Sequence, residues 1–149
     1  MPSITRSALV MFSAQQMYEL VNDIDAYPQF LPGCVASRVV SQSDNTITAT
    51  LDVSKAGIRK TFTTRNVLTP YQHIRVELVD GPFKALNGGW TFTPLDEDAC
   101  KVELELYFEF TSRLVEFAFG GIFKELANAM VHSFSERARE VYGHESYPG

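Results

Sequence analysis

Residues 100–110 read CKVELELYFEF, an unbroken alternation. It puts Val102, Leu104, Leu106, Phe108 and Phe110 on one side and Lys101, Glu103, Glu105 and Glu109 on the other. A period of two over that length is a strand with one face buried and one in water. Directly afterwards, residues 113–142 change to a helical period. A helix of that length spans about 45 Å, enough to cross a whole sheet. The chain therefore ends in a helix able to lie over the sheet that its own strands build.

The upstream sequence supplies that sheet. Residues 3–11 are rich in β-formers and predict a first strand. Ser13 and Gln16 form a capping box for a short helix over 14–22, whose apolar positions are Met17, Leu20 and Val21. Pro28 and Pro32 restrict 25–34 to at most one helical turn and then a loop. From about Val35 onward the chain predicts strands. Ile47, Ala49, Leu51 and Val53 alternate with threonines and Asp52 in 46–53. Residues 58–68 return after the Lys55-Ala56-Gly57 turn, and 73–79 and 85–93 follow. Gly88-Gly89 predicts a bulge or sharp bend before Trp90 and Phe92. The expectation is about seven antiparallel strands in meander order.

In the final helix Lys124, Glu125, Asn128, His132, Ser135, Glu136 and Arg139 share one arc. Ile122, Phe123, Leu126, Met130, Ser133, Phe134 and Val141 share the opposite one, with Arg137 among them. Leu114 and Phe117 fall out of phase, which predicts a bent axis at Gly120-Gly121. The fold class is α+β: a curved antiparallel sheet around a long C-terminal helix, with one or two short helices after the first strand. The space between sheet and helix either fills with side chains or holds a ligand.

Composition narrows the function classes. A chain of 149 residues predicts one domain over 1–149, with 143–149 a loose tail. The formal net charge of -5 gives no general excess of cations for nucleic-acid phosphates, so DNA is not an expected partner. Cys34 and Cys100 are far apart and outside any CxxC pair, and read as reduced thiols of a cytoplasmic protein. Neither a signal peptide nor a membrane-spanning stretch is legible, which leaves at most transient membrane contact. His73, His132 and His144 lack metal-ligand spacing, and Asp23/Asp25 and Asp96/Glu97/Asp98 read as solvated turns. No phosphate-loop, dinucleotide or nucleophile-elbow motif is present. No catalytic residue, metal or cofactor is expected, and the reading is non-enzymatic.

Four segments carry a family resemblance: LVNDIDAYPQFLPGC (20–34), LVDGPFKALNGGWTFTPL (78–95), CKVELELYFEF (100–110) and FSERAREVYG (134–143). Together they resemble the bacterial RatA and coenzyme Q-binding protein family, of the START-like, polyketide-cyclase-like superfamily, over about residues 2–143. The resemblance implies the helix-grip fold. It also implies one of two roles: binding ubiquinone or a similar polyprenyl lipid in support of respiration, or toxin-like association with the large ribosomal subunit that blocks subunit joining. Gly33 stands where the family pattern often has an aromatic residue, which implies a more open cavity mouth or an altered partner surface.

The candidate residues each carry two readings. Tyr27, Phe30 and Leu31, stiffened by Pro28 and Pro32, form either a gate over one end of a cavity or a plug in it. Phe83, Trp90, Phe92 and Phe108 on the sheet, and Phe119, Phe123, Leu126, Met130 and Phe134 on the helix, are either the wall of a polyprenyl-quinone site or plain core. Arg137 snorkels, pairs with an acid such as Glu77, or donates to a ligand carbonyl. For a ribosomal partner the candidates are Lys55, Arg59, Lys60 and Arg65 on one hairpin, with Lys84 nearby in the chain. They meet RNA phosphates or form an ordinary solvated face.

Overall fold

The computed structural model describes residues 3–143. Strand β1 (Ser3–Val10) leads into helix α1 (Ala14–Asn22). The predicted capping box is present: the Ser13 hydroxyl accepts from the Gln16 amide at 3.1 Å, and the Ser13 amide donates to Gln16 Oε1 at 2.9 Å. Such a cap contributes about 1 kcal/mol. A 3-10 helix, Ile24–Gln29, follows with Pro28 inside it. Six strands then alternate as read: β2 (Cys34–Gln42), β3 (Thr46–Lys55), β4 (Ile58–Thr69), β5 (His73–Asp80), β6 (Phe83–Asp96) and β7 (Ala99–Phe110). Helix α2 (Arg113–Tyr142) closes the described chain.

All seven strands form one antiparallel sheet in the order β1-β7-β6-β5-β4-β3-β2. β1 is the single departure from sequence order, pairing with β7 from Ser3↔Tyr107 to Val10↔Cys100. The inward row of β7, from Cys100 and Val102 to Phe108 and Phe110, is buried under α1 and α2. α2 packs mainly on β1 and β7 and more thinly on β3 and β4. That asymmetry leaves a gap over the β4 and β5 side.

The structure sharpens or corrects three expectations. First, α2 runs without interruption through Gly120-Gly121. Leu114 and Phe117, out of phase with the inner stripe, face outward, 77% and 89% exposed. Val141 is likewise exposed, and its expected place on the inner side is taken by Ala138, with Ala127 and Val131 buried further up the helix. Second, of the two alternatives at Gly88-Gly89 the bulge is absent: the β6–β7 register runs unbroken through Gly88↔Leu106 and Gly89↔Glu105. Glycine is needed there because a Cβ on Gly88 would lie 2.0 Å from the Glu105 carbonyl oxygen, and one on Gly89 2.4 Å from that of Ile74. Third, Gly33 opens no mouth: it takes φ of 83° just before β2 and lies outside the cavity wall. The tail expected over 143–149 lies, beyond Gly143, outside the described residues.

Gly88→Ala drives a methyl group into a main-chain carbonyl that cannot move without breaking the β6–β7 ladder. We expect it to cost more than about 2 kcal/mol in urea unfolding. Gly57→Ala, in a turn with no atom near the new Cβ but a φ of 83°, is expected to cost about 1–2 kcal/mol. Equal costs at the two sites would refute the close-approach account.

Candidate functional site

Aromatic rings fill the space between sheet and α2 in two groups. One gathers Phe62, Phe83, Phe108, Phe110, Phe119 and Phe123, with Phe83–Phe123 centroids 4.8 Å apart and Phe108–Phe123 centroids 5.1 Å apart. The other links Tyr18, Phe92, Trp90, Phe134, Tyr27 and Phe30, with Trp90–Phe134 at 5.3 Å and Phe30–Phe134 at 5.1 Å. Between the groups lies a cavity of about 70 Å³. Phe62 and Phe123 wall it from the first group, Trp90 and Tyr27 from the second. Ala49 and Leu51 of β3, Thr64 and Asn66 of β4, Val76 of β5, Leu104 and Leu106 of β7, and Leu126, Ala127 and Met130 of α2 complete most of the wall. Leu51, Thr64, Asn66, Val76 and Met130 are half-buried and mark the mouth, on the side where α2 stands off the sheet.

The hollow is thus present and apolar, but small. Drug-sized ligands occupy about 300–1,000 Å³. Of the residues expected to form a ligand wall, the structure brings together Tyr27, Trp90, Phe123, Leu126 and Met130 around the cavity. Phe83, Phe108 and Phe119 are spent in the first ring group, and Phe92 and Phe134 in the second. None of these five is part of the wall. Each stacks edge-on or offset against other rings, which is core packing.

The 25–34 segment resolves as part plug and part wall. Leu31 is buried and Phe30 half-buried against Phe134, while Tyr27 reaches the cavity. The Tyr27 hydroxyl donates to the Val21 carbonyl, and burial pushes its pKa well above the usual tyrosine range. Arg137 does not reach Glu77, which pairs instead with Arg65 and Arg75. Its guanidinium lies 5.2 Å from the Phe30 ring centre, donates to Gln29 Oε1 at 3.2 Å and pairs with Glu140 at 3.7 Å. It clamps the 3-10 helix to α2, outside the cavity wall.

Most of the hairpin cations already have carboxylate partners. Lys55 meets Glu125 at 2.6 Å, Arg59 meets Asp52 at 2.6 Å, and Arg65 meets Glu77 at 3.1 Å. Hydrogen bonds from Arg59 and then Thr61 hold the Asp52 carboxyl below its usual range. Lys84 lies 3.5 Å from Glu109. Lys60 is the hairpin cation for which no carboxylate lies within ion-pair distance among the described residues.

Sequence reading missed Thr64 and Asn66. Both sit on the inward side of β4 with Phe62, and the period of two from Phe62 was the signal that would have found them. The Thr64 hydroxyl donates to Asn66 Oδ1 at 3.1 Å. As for other chemistry, His73 Nδ1 lies 3.2 Å from Thr91 Oγ1 and His132 is exposed, while His144 is outside the described residues. Among the described residues no cluster of His, Cys, Asp or Glu is placed to hold a metal ion. Nor is any described helix long and apolar enough to cross a membrane.

Comparison with known proteins follows the same lines. The model of a family described as "Polyketide cyclase / dehydrase and lipid transport" matches residues 10–135. A Vibrio cholerae protein named "Ribosome association toxin RatA" is 62% identical over 143 residues, covering 96% of this chain and 99% of that one. A Xenopus laevis protein named "Coenzyme Q-binding protein COQ10 homolog B, mitochondrial" is 29% identical over 148 residues, covering 97% of this chain and 61% of that one. The Zhui aromatase/cyclase of a Streptomyces superposes with a TM-score of 0.85 at 16% identity, over 98% of this chain and 99% of that one. That likeness speaks to fold.

Both cysteines are buried, and burial pushes each thiol up to about 11 from an ordinary 9.0. The folded state therefore holds these protons more tightly than the unfolded one. Any stability tied to them is complete below about pH 9 and is lost as pH rises through 11. We expect native protein to resist a thiol reagent such as DTNB at pH 8, with both thiols reacting in urea. Rapid titration of Cys34 in the native state would contradict its burial.

Proposed function

The chain belongs to the polyketide cyclase / dehydrase and lipid transport family, and from that premise we propose that it binds an apolar small molecule of the polyprenyl-quinone class between its sheet and α2, without catalysing a reaction. The observation that carries this reading is the cavity itself: a partly open, largely apolar hollow between two ring groups, with its mouth where α2 leaves the sheet. Burying about 150 Å² of a ligand's apolar surface there is worth roughly 4 kcal/mol before binding costs. A quinone ring exceeds the resting 70 Å³, so entry requires the mouth to widen. Met130, half-buried at the rim with an unbranched and adaptable side chain, is the wall residue best suited to move. A non-catalytic role fits the buried, protonated thiols and the Tyr27 hydroxyl already bound to a main-chain carbonyl.

A second reading is favoured by a different observation. The relative named for ribosome association is 62% identical across nearly its whole length, whereas the one named for coenzyme Q binding is 29% identical. On this reading the chain docks on the large ribosomal subunit in the cytoplasm, blocks subunit joining and so inhibits translation. With most cations of the β3–β4 hairpin neutralised, Lys60 is the one there with no carboxylate in ion-pair distance among the described residues, and so the first to test against a phosphate.

Two experiments test the readings separately. Protein incubated with ubiquinone, repurified, extracted with solvent and analysed by mass spectrometry is expected to retain the quinone. Leu126→Asp, which buries a carboxylate in the cavity wall, is expected to abolish retention. Retention at wild-type level in that variant would place the ligand elsewhere. In sucrose gradients the chain is expected to travel with large ribosomal subunits. Lys60→Glu combined with Arg59→Gln is expected to release it, without setting a new carboxylate beside Asp52. Unchanged co-migration would remove this hairpin from the ribosomal contact.

A further inference from the structure

The cavity has a polar end, and its chemistry is one-sided. The inward side of β4 presents Phe62, Thr64 and Asn66 in turn to a wall that is otherwise almost wholly apolar. The Thr64 hydroxyl donates to Asn66 Oδ1, so the amide's own acceptor is already engaged. The Asn66 side-chain NH2 has no acceptor among the described residues. The Tyr27 hydroxyl, the other oxygen in the wall, is turned to the Val21 carbonyl. Asn66 is half-buried at the mouth, so in the free protein its N–H groups face water. A ligand that covers the mouth displaces that water. It must then offer an oxygen in exchange or leave a donor unpaired.

Resting on the reading of this cavity as an apolar-ligand site, we infer that Asn66, held by Thr64, is the residue that selects a ligand bearing a carbonyl or similar acceptor oxygen and orients that oxygen toward β4 at the mouth. The apolar part of the ligand then lies under α2 against Trp90 and Leu126. The site so built discriminates by oxygen and not by size alone. A hydrocarbon of the same shape gains the same apolar burial but leaves the Asn66 donors bare.

Duroquinone and durene form a matched pair of probes, the same methylated ring with and without carbonyl oxygens. Trp90, the sole tryptophan of the chain, lines the cavity and reports duroquinone by quenching. Ligand-observed NMR reports durene. Asn66→Leu and Asn66→Ala both remove the donors without adding charge, the second without adding bulk, so a folding defect in one leaves the other informative. Each is expected to weaken duroquinone roughly ten-fold, the cost of one lost hydrogen bond at a half-buried donor. Durene is expected to change less than about two-fold in Asn66→Leu. If both probes weaken alike, or neither does, the role of Asn66 is refuted while the cavity reading stands. If the wild-type protein binds neither probe, the cavity reading fails and the inference fails with it.

Discussion

How far α2 can lie from the sheet is set by aromatic rings. Phe119 and Phe123 descend from the helix onto Phe83, Phe108 and Phe110, and Phe134 descends onto Trp90, Tyr27 and Phe30. These are two separate points of support along one rod. Rings are incompressible and packed edge to face, so neither support can shorten without strain. Between the supports the side chains are smaller, with Leu126 and Ala127 opposite Ala49 and Leu104, and the helix cannot sag to meet them. The cavity is what two rigid supports leave in the middle. Its small volume and its apolar wall have the same origin.

The same arrangement separates groups that sequence alone had joined. An apolar stripe on a helix says which side is buried, and it does not distinguish a ring that touches another ring from one that borders a void. Phe119 and Phe123 belong to the same stripe, yet Phe119 is spent in packing and Phe123 faces the cavity. The strand pattern of β7, the capping box at Ser13 and the length of α2 were all legible because each is a local rule. The inward side of β4 was harder to see. Thr64 and Asn66 are polar, and polar residues on a strand are ordinarily assigned to water. The period of two from Phe62 puts them on its side, and the assembled sheet shows that this side borders a cavity at their positions. The Gly88-Gly89 pair was legible as a place needing glycine, but the reason lies in the carbonyls of Glu105 and Ile74, on the neighbouring strands.

Charge was misleading in a similar way. Four cations on one hairpin suggest a positive patch, and an isolated strand pair would be one. In the folded sheet Asp52 lies on β3 next to Arg59, and Glu77 on β5 beside Arg65. Antiparallel pairing thus brings acids to bases that are distant in sequence. The surviving positive character is concentrated at Lys60 and is far less than a count of Lys and Arg implies.

The two readings of function meet at Lys55 and Glu125. Lys55 lies at the tip of the β3–β4 hairpin, and Glu125 precedes Leu126 of the cavity wall on α2. Their ion pair therefore ties the hairpin tip to the helix next to a wall residue of the cavity. Both side chains are more than half exposed, so the pair contributes about 0–1 kcal/mol and is easily given up. A ligand too large for 70 Å³ must displace wall side chains or lift α2 on this open side, since β1 and β7 hold the other. The Lys55–Glu125 pair is thus the weakest of the contacts that hold α2 on this side, and the two ring supports, not this pair, fix the height of the helix.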